Sequence, residues 1–151
     1  MLVHVRVLVH GQKRAFLMSF DHEKLDVYRV SIELVRWSGD LIEGPLKGCQ
    51  LSAVKQLERA STSIPLHIAE GNGKRSSRDR CRYFDTARGS AFECAASLDV
   101  LVARKILKNE QNEAGKTLLV RVIEMLSKMT LKLLGSLQDP VEHVHEHEHG
   151  A

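Results

Sequence analysis

The sequence predicts an all-α protein built as an antiparallel up-down-up-down four-helix bundle. Apolar residues recur every three or four positions in four stretches between Leu25 and Leu137, as on the buried face of an amphipathic helix. Short segments rich in glycine, proline, asparagine or serine separate these stretches. Aromatic residues make up only 5% of the 151-residue chain, which favours packed helices over a β-sandwich or barrel.

The first predicted helix has a single apolar stripe with steps of three and four residues. This stripe consists of Leu25, Tyr28, Ile32, Val35, Gly39 and Ile42. Gly44 and Pro45 end the helix, because proline disfavours the helical conformation of the residue before it.

The second predicted helix carries the stripe Val54, Leu57, Ser61, Ile64 and Ile68. Gly71 is expected to end it in a left-handed conformation. Pro65 lies inside this helix and should kink it, because proline leaves the carbonyl of Ser61 without its usual hydrogen bond.

The third predicted helix begins after Ser76, with Asp79 three residues later in a pattern typical of a capping box. Its stripe consists of Phe84, Ala87, Ala91, Cys94, Leu98 and Leu101. Polar residues 109–112 predict the next turn, and a fourth helix is predicted from about Glu113 to Leu137.

The fourth predicted helix carries more apolar surface than one bundle face requires. Its apolar residues spread over roughly 180°, whereas a core-facing stripe is somewhat wider than about 100°. They are Leu118, Leu119, Val122, Ile123, Met125, Leu126, Met129, Leu133, Leu134 and Leu137. The excess predicts self-association, because exposed apolar surface of this kind marks an interface.

A hairpin of the second and third helices would place small residues opposite one another, Ala60 and Ser61 against Gly89 and Ser90. We expect a close backbone approach there, with an ion pair between Arg59 and Glu93 beside it. Glu70 is expected near Arg78 or Asp79. An architectural role explains these residues more simply than a chemical one.

Both ends of the chain differ from its centre, so we predict that the bundle covers residues 20–138. Within residues 1–17, the valines at positions 3, 5, 7 and 9 alternate with other residues, including His4 and Arg6, in a strand-like period of two. We favour a disordered or mis-annotated extension with translation from Met18, and an added edge strand is the alternative.

The C-terminal tail, residues 139–151, is rich in histidine and glutamate. We expect it to be disordered, because it has little apolar surface to bury. The alternative is a metal-binding tract, since alternate residues of an extended chain lie on one side: His143, His145, His147 and His149.

Two segments of the sequence carry a family resemblance. Residues 59–71 fit Arg-Ala-x-x-Ser-Ile-x-x-Asn-Ile-Ala-Glu-Gly, except that His67 stands at the asparagine, and residues 87–93 fit Ala-x-Gly-Ser-x-x-Glu. Over roughly residues 20–137 the chain resembles the four-helix-bundle proteins encoded in intervening sequences of bacterial 23S rRNA. The residues we assign to this structural motif are Arg59, Ser61, Pro65, Glu70, Gly71, Gly89, Ser90 and Glu93.

The resemblance implies a ring-shaped homopentamer and an association with RNA or a ribonucleoprotein. A similar pentameric bundle is the accessory partner of the reverse transcriptases of diversity-generating retroelements. Neither context implies an enzymatic activity for this chain.

The composition indicates the cellular compartment and argues against some classes of site. Three cysteines, Cys49, Cys81 and Cys94, form no Cys-x-x-Cys pair, which indicates a reducing compartment and argues against a disulfide framework or structural zinc. No apolar run approaches the roughly 20 residues that span a bilayer. We therefore expect a cytoplasmic protein that does not contact a membrane.

An enzymatic reading finds little support in the sequence. His67 and Glu70, with Glu93 and Glu33, are faintly similar to di-iron carboxylate bundles, which require Glu-x-x-His on two helices. Only one such pair is present, and its order is reversed. We predict no catalytic residue, no cofactor and no metal ligand.

The segment from Lys74 to Arg88 has six basic residues against two acidic ones. We predict that Lys74, Arg75, Arg78 and Arg82 form a basic face that contacts RNA or a nucleic-acid-associated protein. The alternative is a solvated charged surface on a structural or protein-interaction scaffold, or on a reverse-transcriptase accessory protein.

Overall fold

The computed structural model describes residues 3–9, 12–18 and 20–138. Four helices follow one another: α1 (Asp26–Glu43), α2 (Ser52–Asn72), α3 (Ser77–Ala103) and α4 (Asn109–Gln138). A short 3₁₀ helix, Asp21–Lys24, precedes α1. Residues 20–138 are therefore all-α, as the sequence predicts. The His/Glu-rich tail, with its predicted disorder and its metal-binding alternative, lies outside the described residues.

Ahead of the helices, strands β1 (Val3–Val9) and β2 (Gln12–Met18) pair as an antiparallel hairpin. In this register Val3 lies opposite Met18, and Val9 lies opposite Gln12. The sequence favours a disordered or mis-annotated segment over residues 1–19, whereas the structure has strands over most of it. The period of two in the sequence fits this strand conformation. Translation from Met18 stays a prediction.

The four helices enclose one apolar core. Both α1 and α3 contact α2 and α4, so each helix has two neighbours. Fully buried side chains come from every helix, including Leu34, Ile64, Phe84 and Leu126, and Leu46 adds one from the α1–α2 connection. Removing these apolar side chains from water is the main contribution that holds the helices together.

The buried face of α1 lies one residue away from the predicted stripe, and the predicted residues only border it. The buried residues are Val27, Val30, Ser31, Leu34, Ser38 and Leu41. Two of these buried residues are serines, so the spacing of apolar residues alone did not identify this face. Ser31 donates to the carbonyl of Tyr28 at 2.6 Å, and Ser38 donates to the hydroxyl of Ser61 at 3.1 Å. Hydrogen-bonded hydroxyls of this kind are compatible with burial.

The stripe of α2 is confirmed, since Val54, Leu57, Ser61, Ile64 and Ile68 are all buried. The prediction for Gly71 is wrong, because this residue remains helical and α2 continues to Asn72. A Cβ atom at Gly71 would lie 2.8 Å from Cβ of Tyr83 and 3.0 Å from Cε1 of Phe84. Glycine is needed here for the close approach of α2 and α3.

The close approach predicted at Gly89 is also wrong. Gly89 is exposed, and a Cβ atom there would meet nothing within 4 Å. Ser61 faces Ser38 of α1, whereas Ser90 lies 2.9 Å from the hydroxyl of Ser63. The facing positions of α2 and α3 thus differ from the predicted register by roughly one helical turn.

The predicted ion pair between Arg59 and Glu93 is confirmed, and the same guanidinium also donates to Gln56. Glu70, for which the sequence predicts Arg78 or Asp79 as neighbour, pairs instead with Lys74 at 3.9 Å. Pro65 is buried inside α2, which runs past it without ending. The kink there stays a prediction.

The stripe of α3 is confirmed, because all six predicted residues are buried. Ser76 caps the helix by accepting from the amide of Asp79 at 3.1 Å. The fourth helix begins at Asn109, earlier than predicted. The side chain of Gln111 accepts from the amide of Lys108 at 3.0 Å, so these polar residues cap α4 rather than forming the turn.

The apolar residues of α4 divide between core and surface. Leu119, Val122 and Leu126 are buried, whereas a second group remains exposed. The exposed group consists of Val120, Leu131, Leu134 and Leu137. The predicted excess of apolar surface is present, but of the predicted residues only Leu134 and Leu137 are exposed. The two most exposed members, Val120 and Leu131, lie outside the predicted arc.

Candidate nucleic-acid interface

The four predicted basic residues lie close together along the chain, where α2 turns into α3. Asn72 ends α2, and the amide of Gly73 donates to the carbonyls of Ala69 and Glu70, both at 3.2 Å. Lys74 and Arg75 occupy the connection, and Arg78 and Arg82 project from the first turns of α3. We call Lys74, Arg75, Arg78 and Arg82 the basic turn.

Two members of the basic turn have partners within the chain. Nζ of Lys74 lies 4.9 Å from the ring centroid of Tyr83 and 3.9 Å from a carboxylate oxygen of Glu70. Arg82 pairs with Asp79 at 3.8 Å, although its side chain is exposed. Such exposed pairs contribute little stability, so they can be exchanged for contacts with a partner.

The other two members, Arg75 and Arg78, are fully available. Both are exposed, and neither takes part in an ion pair among residues 20–138. Arg80 and Arg88 are turned more towards the protein and are half-buried. Arg80 donates to the side chain of Asn72 at 3.3 Å. Only part of the positive charge counted in the sequence therefore faces solvent.

A small polar hollow adjoins the basic turn. It has a volume of about 170 Å³ and is lined by His67, Arg82, Tyr83 and Thr86. This grouping was not predicted from the sequence, because His67 belongs to α2 and the other three residues belong to α3. Nδ1 of His67 lies 2.8 Å from the carbonyl of Ser63, and this contact fixes the orientation of the ring.

The chemistry of this surface suits a polyanion. Guanidinium and ammonium groups recognise phosphate oxygens, and they do so without reading a base sequence. The positive end of the α3 dipole lies at the same place and adds to the attraction of anions. The aromatic content is low, since Tyr83 is half-buried and Phe84 is fully buried. Positive charge, rather than exposed aromatic surface, is therefore the main feature of the basic turn.

The carboxylates of the di-iron comparison are dispersed. Glu33 lies 3.9 Å from Arg121, Glu70 pairs with Lys74, and Glu93 pairs with Arg59. Among residues 20–138, no group of three or more histidine, cysteine or acidic side chains is placed to hold a metal ion.

The cysteines carry no disulfide among themselves: Cys49 is half-buried, and Cys81 and Cys94 are buried. Burial, reinforced by the charge of Glu93, raises the pKa of the Cys94 thiol to about 12. Burial also raises the pKa of the Cys81 thiol. A thiol whose pKa is raised is a poor nucleophile at neutral pH, so these two residues serve packing.

Comparison with known proteins decides the family. The model of the 23S rRNA-intervening sequence protein family matches residues 23–128. The chain belongs to this family. A comparison with curated proteins found no match.

A solved relative has the same fold. It is the crystal structure of a protein of unknown function from the S23 ribosomal protein family of Bacteroides thetaiotaomicron, with a TM-score of 0.60 and 22% sequence identity. The match covers 69% of this chain and 97% of that chain.

All four residues of the basic turn lie inside the region that matches the 23S rRNA-intervening sequence protein family, as do the residues assigned to the structural motif. No described helix of this family member is long and apolar enough to cross a bilayer.

Proposed function

We propose that this chain is a non-catalytic, oligomeric helical bundle that contacts RNA, or a ribonucleoprotein partner, through the basic turn. The availability of Arg75 and Arg78 carries this proposal. Two exposed guanidinium groups beside a helix N-terminus offer a partner positive charge that the protein does not neutralise itself. The family name, which refers to 23S rRNA, is consistent with a partner of this chemistry. We expect the protein to act in the cytoplasm.

The proposal is tested by reversing the charge of the exposed basic residues. The double variant Arg78→Glu/Arg82→Glu should lose RNA binding while keeping its helicity, because acidic residues are well tolerated in the first turns of a helix. Binding to a labelled structured RNA is measured by fluorescence anisotropy at several salt concentrations. Wild-type affinity should fall steeply as salt rises, since phosphate contacts release counterions.

The matched control reverses two exposed charges near the connection between α3 and α4. Arg104→Glu/Lys108→Glu changes the net charge by the same amount at residues outside the basic turn. It should retain most of the RNA affinity. Absence of binding by the wild type at about 50 mM salt, or equal loss in both double variants, would contradict the proposal.

For the assembly, we propose an up-down-up-down bundle that repeats as a ring-shaped homopentamer. The helix directions are supported by the order of contacts between neighbours, because Arg59 meets Glu93 whereas Gly71, further along α2, meets Tyr83. Self-association is supported by the exposed apolar group on α4, and the number five comes from the family resemblance. Light scattering that gives a 17.0 kDa monomer at micromolar concentration would contradict it.

The same apolar group favours a second candidate, a protein-interaction scaffold without RNA contact. Leu131, 69% exposed, is the most exposed large apolar residue of the described chain. A protein partner, such as a reverse transcriptase to which the chain is accessory, would cover it. Loss of partner binding in Leu131→Glu, together with absent RNA binding by the wild type, would favour this scaffold.

A further inference from the structure

A second cavity lies between the N-terminal half of α3 and the C-terminal half of α4, apart from the basic turn. Its volume is about 340 Å³. The residues that line this α3–α4 pocket are Arg80, Phe84, Met129, Lys132, Leu133 and Ser136. The volume is within the range of small-molecule sites and about twice that of an engineered apolar cavity that holds benzene.

The walls of this pocket combine apolar surface with positive charge. Phe84, Met129 and Leu133 supply aromatic and aliphatic surface, whereas Arg80 and Lys132 supply two cations. Among residues 20–138, no acidic side chain lines the pocket. A ligand that complements both features has an anionic head group and an apolar body.

The guanidinium of Arg80 gives the clearest sign of an unfilled role. Its Nε atom is buried and has no hydrogen-bond acceptor among the described residues. Its Nη2 atom donates to the side chain of Asn72 at 3.3 Å, which orients the group. Buried charged donors are normally paired, because leaving one unpaired is unfavourable. The protein therefore leaves donor capacity of this guanidinium unused, and Nη1 is the donor that a carboxylate in the pocket would reach.

We propose that the α3–α4 pocket binds a small organic carboxylate with an apolar body. The carboxylate accepts from Nη1 of Arg80, which has no partner among the described residues and is not buried as Nε is, and it lies near the ammonium group of Lys132. The apolar body packs against Phe84, Met129 and Leu133. This site differs from the proposed RNA contact, because Arg80 is two residues from Arg78 and from Arg82 on α3 and so lies about 160° around the helix from either.

The test uses the full-length protein and octanoate below its micelle-forming concentration. Methyl-labelled methionine gives a direct readout, because Met129 lines the pocket whereas Met125, one turn earlier on α4, does not. The NMR signal of the Met129 methyl group, assigned by its absence from the spectrum of Met129→Leu, should shift saturably with a Kd below about 1 mM. Octanol, which has the same chain and no charge, should bind about tenfold more weakly.

A matched lysine pair separates a built site from general charge attraction. Lys132→Met should weaken octanoate binding about fivefold, and Lys128→Met, which removes an exposed lysine outside the pocket, should leave it unchanged. Arg80→Met should weaken binding about tenfold. Leu133→Trp should abolish it by filling the pocket.

Three results would overturn the inference: no saturable shift of Met129, equal affinity for octanol and octanoate, or equal affinity in Lys132→Met and Lys128→Met. The lysine pair keeps the test decisive if Arg80→Met fails to fold. Unchanged RNA binding in Lys132→Met would show that the two proposals stand separately.

Discussion

Each end of α3 packs closely against a glycine of a neighbouring helix, but the two ends differ in the partners of their charged side chains. Near its N-terminus, Gly71 of α2 lies against Tyr83 and Phe84. Near its C-terminus, a Cβ atom at Gly115 of α4 would lie 2.9 Å from Cδ1 of Leu98, and it would also meet the indole of Trp37 in α1. Each end therefore depends on a neighbouring helix that lacks a side chain at the contact.

Near the C-terminal end of α3, one acidic side chain finds its partners within the protein. Asp99 accepts from Asn112 at 3.2 Å and also from the ammonium group of Lys116. At the N-terminal end, Arg75 and Arg78 have no such partner in the described chain.

Arg104 and Lys105 are also exposed at the C-terminal end, but they lie beside the negative end of the helix dipole. The basic turn lies beside its positive end, so only there do the cations and the dipole attract an anion together.

The largest expected effects come from adding a methyl group at the two packed ends. Gly71→Ala and Gly115→Ala should each destabilise the protein by about 2 kcal/mol, since the neighbours are rigid aromatic rings and backbone-proximal atoms that must shift. Thermal unfolding followed by circular dichroism should show a melting temperature lower by about 4–8 °C. An unchanged melting temperature would mean that the contacts are looser than described.

At the exposed glycine in the middle of α3, we expect a change in stability of the opposite sign. Gly89→Ala should stabilise the protein by about 1 kcal/mol, because it lies in a helix interior where alanine is preferred and no atom obstructs the new methyl group. The same thermal measurement applies. If the variant were instead less stable, Gly89 would lie in a close backbone contact, as the sequence predicts.

These glycines also show what could be predicted from the sequence. Apolar spacing identified four helices, the core faces of α2 and α3, and the cap at Ser76. It could not assign a reason to Gly71 or Gly89, because glycine has the same local cost whether its neighbour is another helix or solvent. Gly115 escaped notice for the same reason, since its partner Trp37 is distant in the chain.

The core face of α1 and the two pockets could not be predicted for a related reason. Ser31 and Ser38 are buried through hydrogen bonds, one of which is formed with another helix. The polar hollow beside His67 and the α3–α4 pocket each combine residues of two helices, so both depend on an interhelical register that spacing within a helix does not fix. The basic turn was visible because its residues are neighbours in sequence.

A smaller effect is expected from the ion pair midway along α3. Arg59→Ala should destabilise the protein by about 0.5 kcal/mol, because the side chains of Arg59 and Glu93 are 57% and 52% exposed and water screens their attraction. Urea unfolding of Arg59→Ala, Glu93→Gln and the double variant gives the coupling between them. A coupling above about 2 kcal/mol would show that this pair is as important as the packed ends.

The smallest expected effect concerns the satisfied charge at the C-terminal end. Hydrogen bonds from Lys116 and Asn112 lower the pKa of Asp99 below its ordinary value of 3.8. The folded state therefore binds this proton more weakly than the unfolded state. The resulting stabilisation is complete above the ordinary pKa and is lost as the pH falls through the lower, folded pKa.

Asp99→Asn should consequently reduce the free energy of unfolding by about 0.5 kcal/mol at pH 6 and by progressively less as the pH is lowered below about 4, since the carboxylate is exposed and its contacts are screened. Urea unfolding at pH 6 and at a pH below about 4 measures this difference. Asp40→Asn, at an exposed position of α1, is the control for a general change in net charge. If the stability difference between wild type and Asp99→Asn stayed constant with pH, the charge of Asp99 would not contribute to it. The contrast between the two ends of α3 would then depend on the basic turn alone.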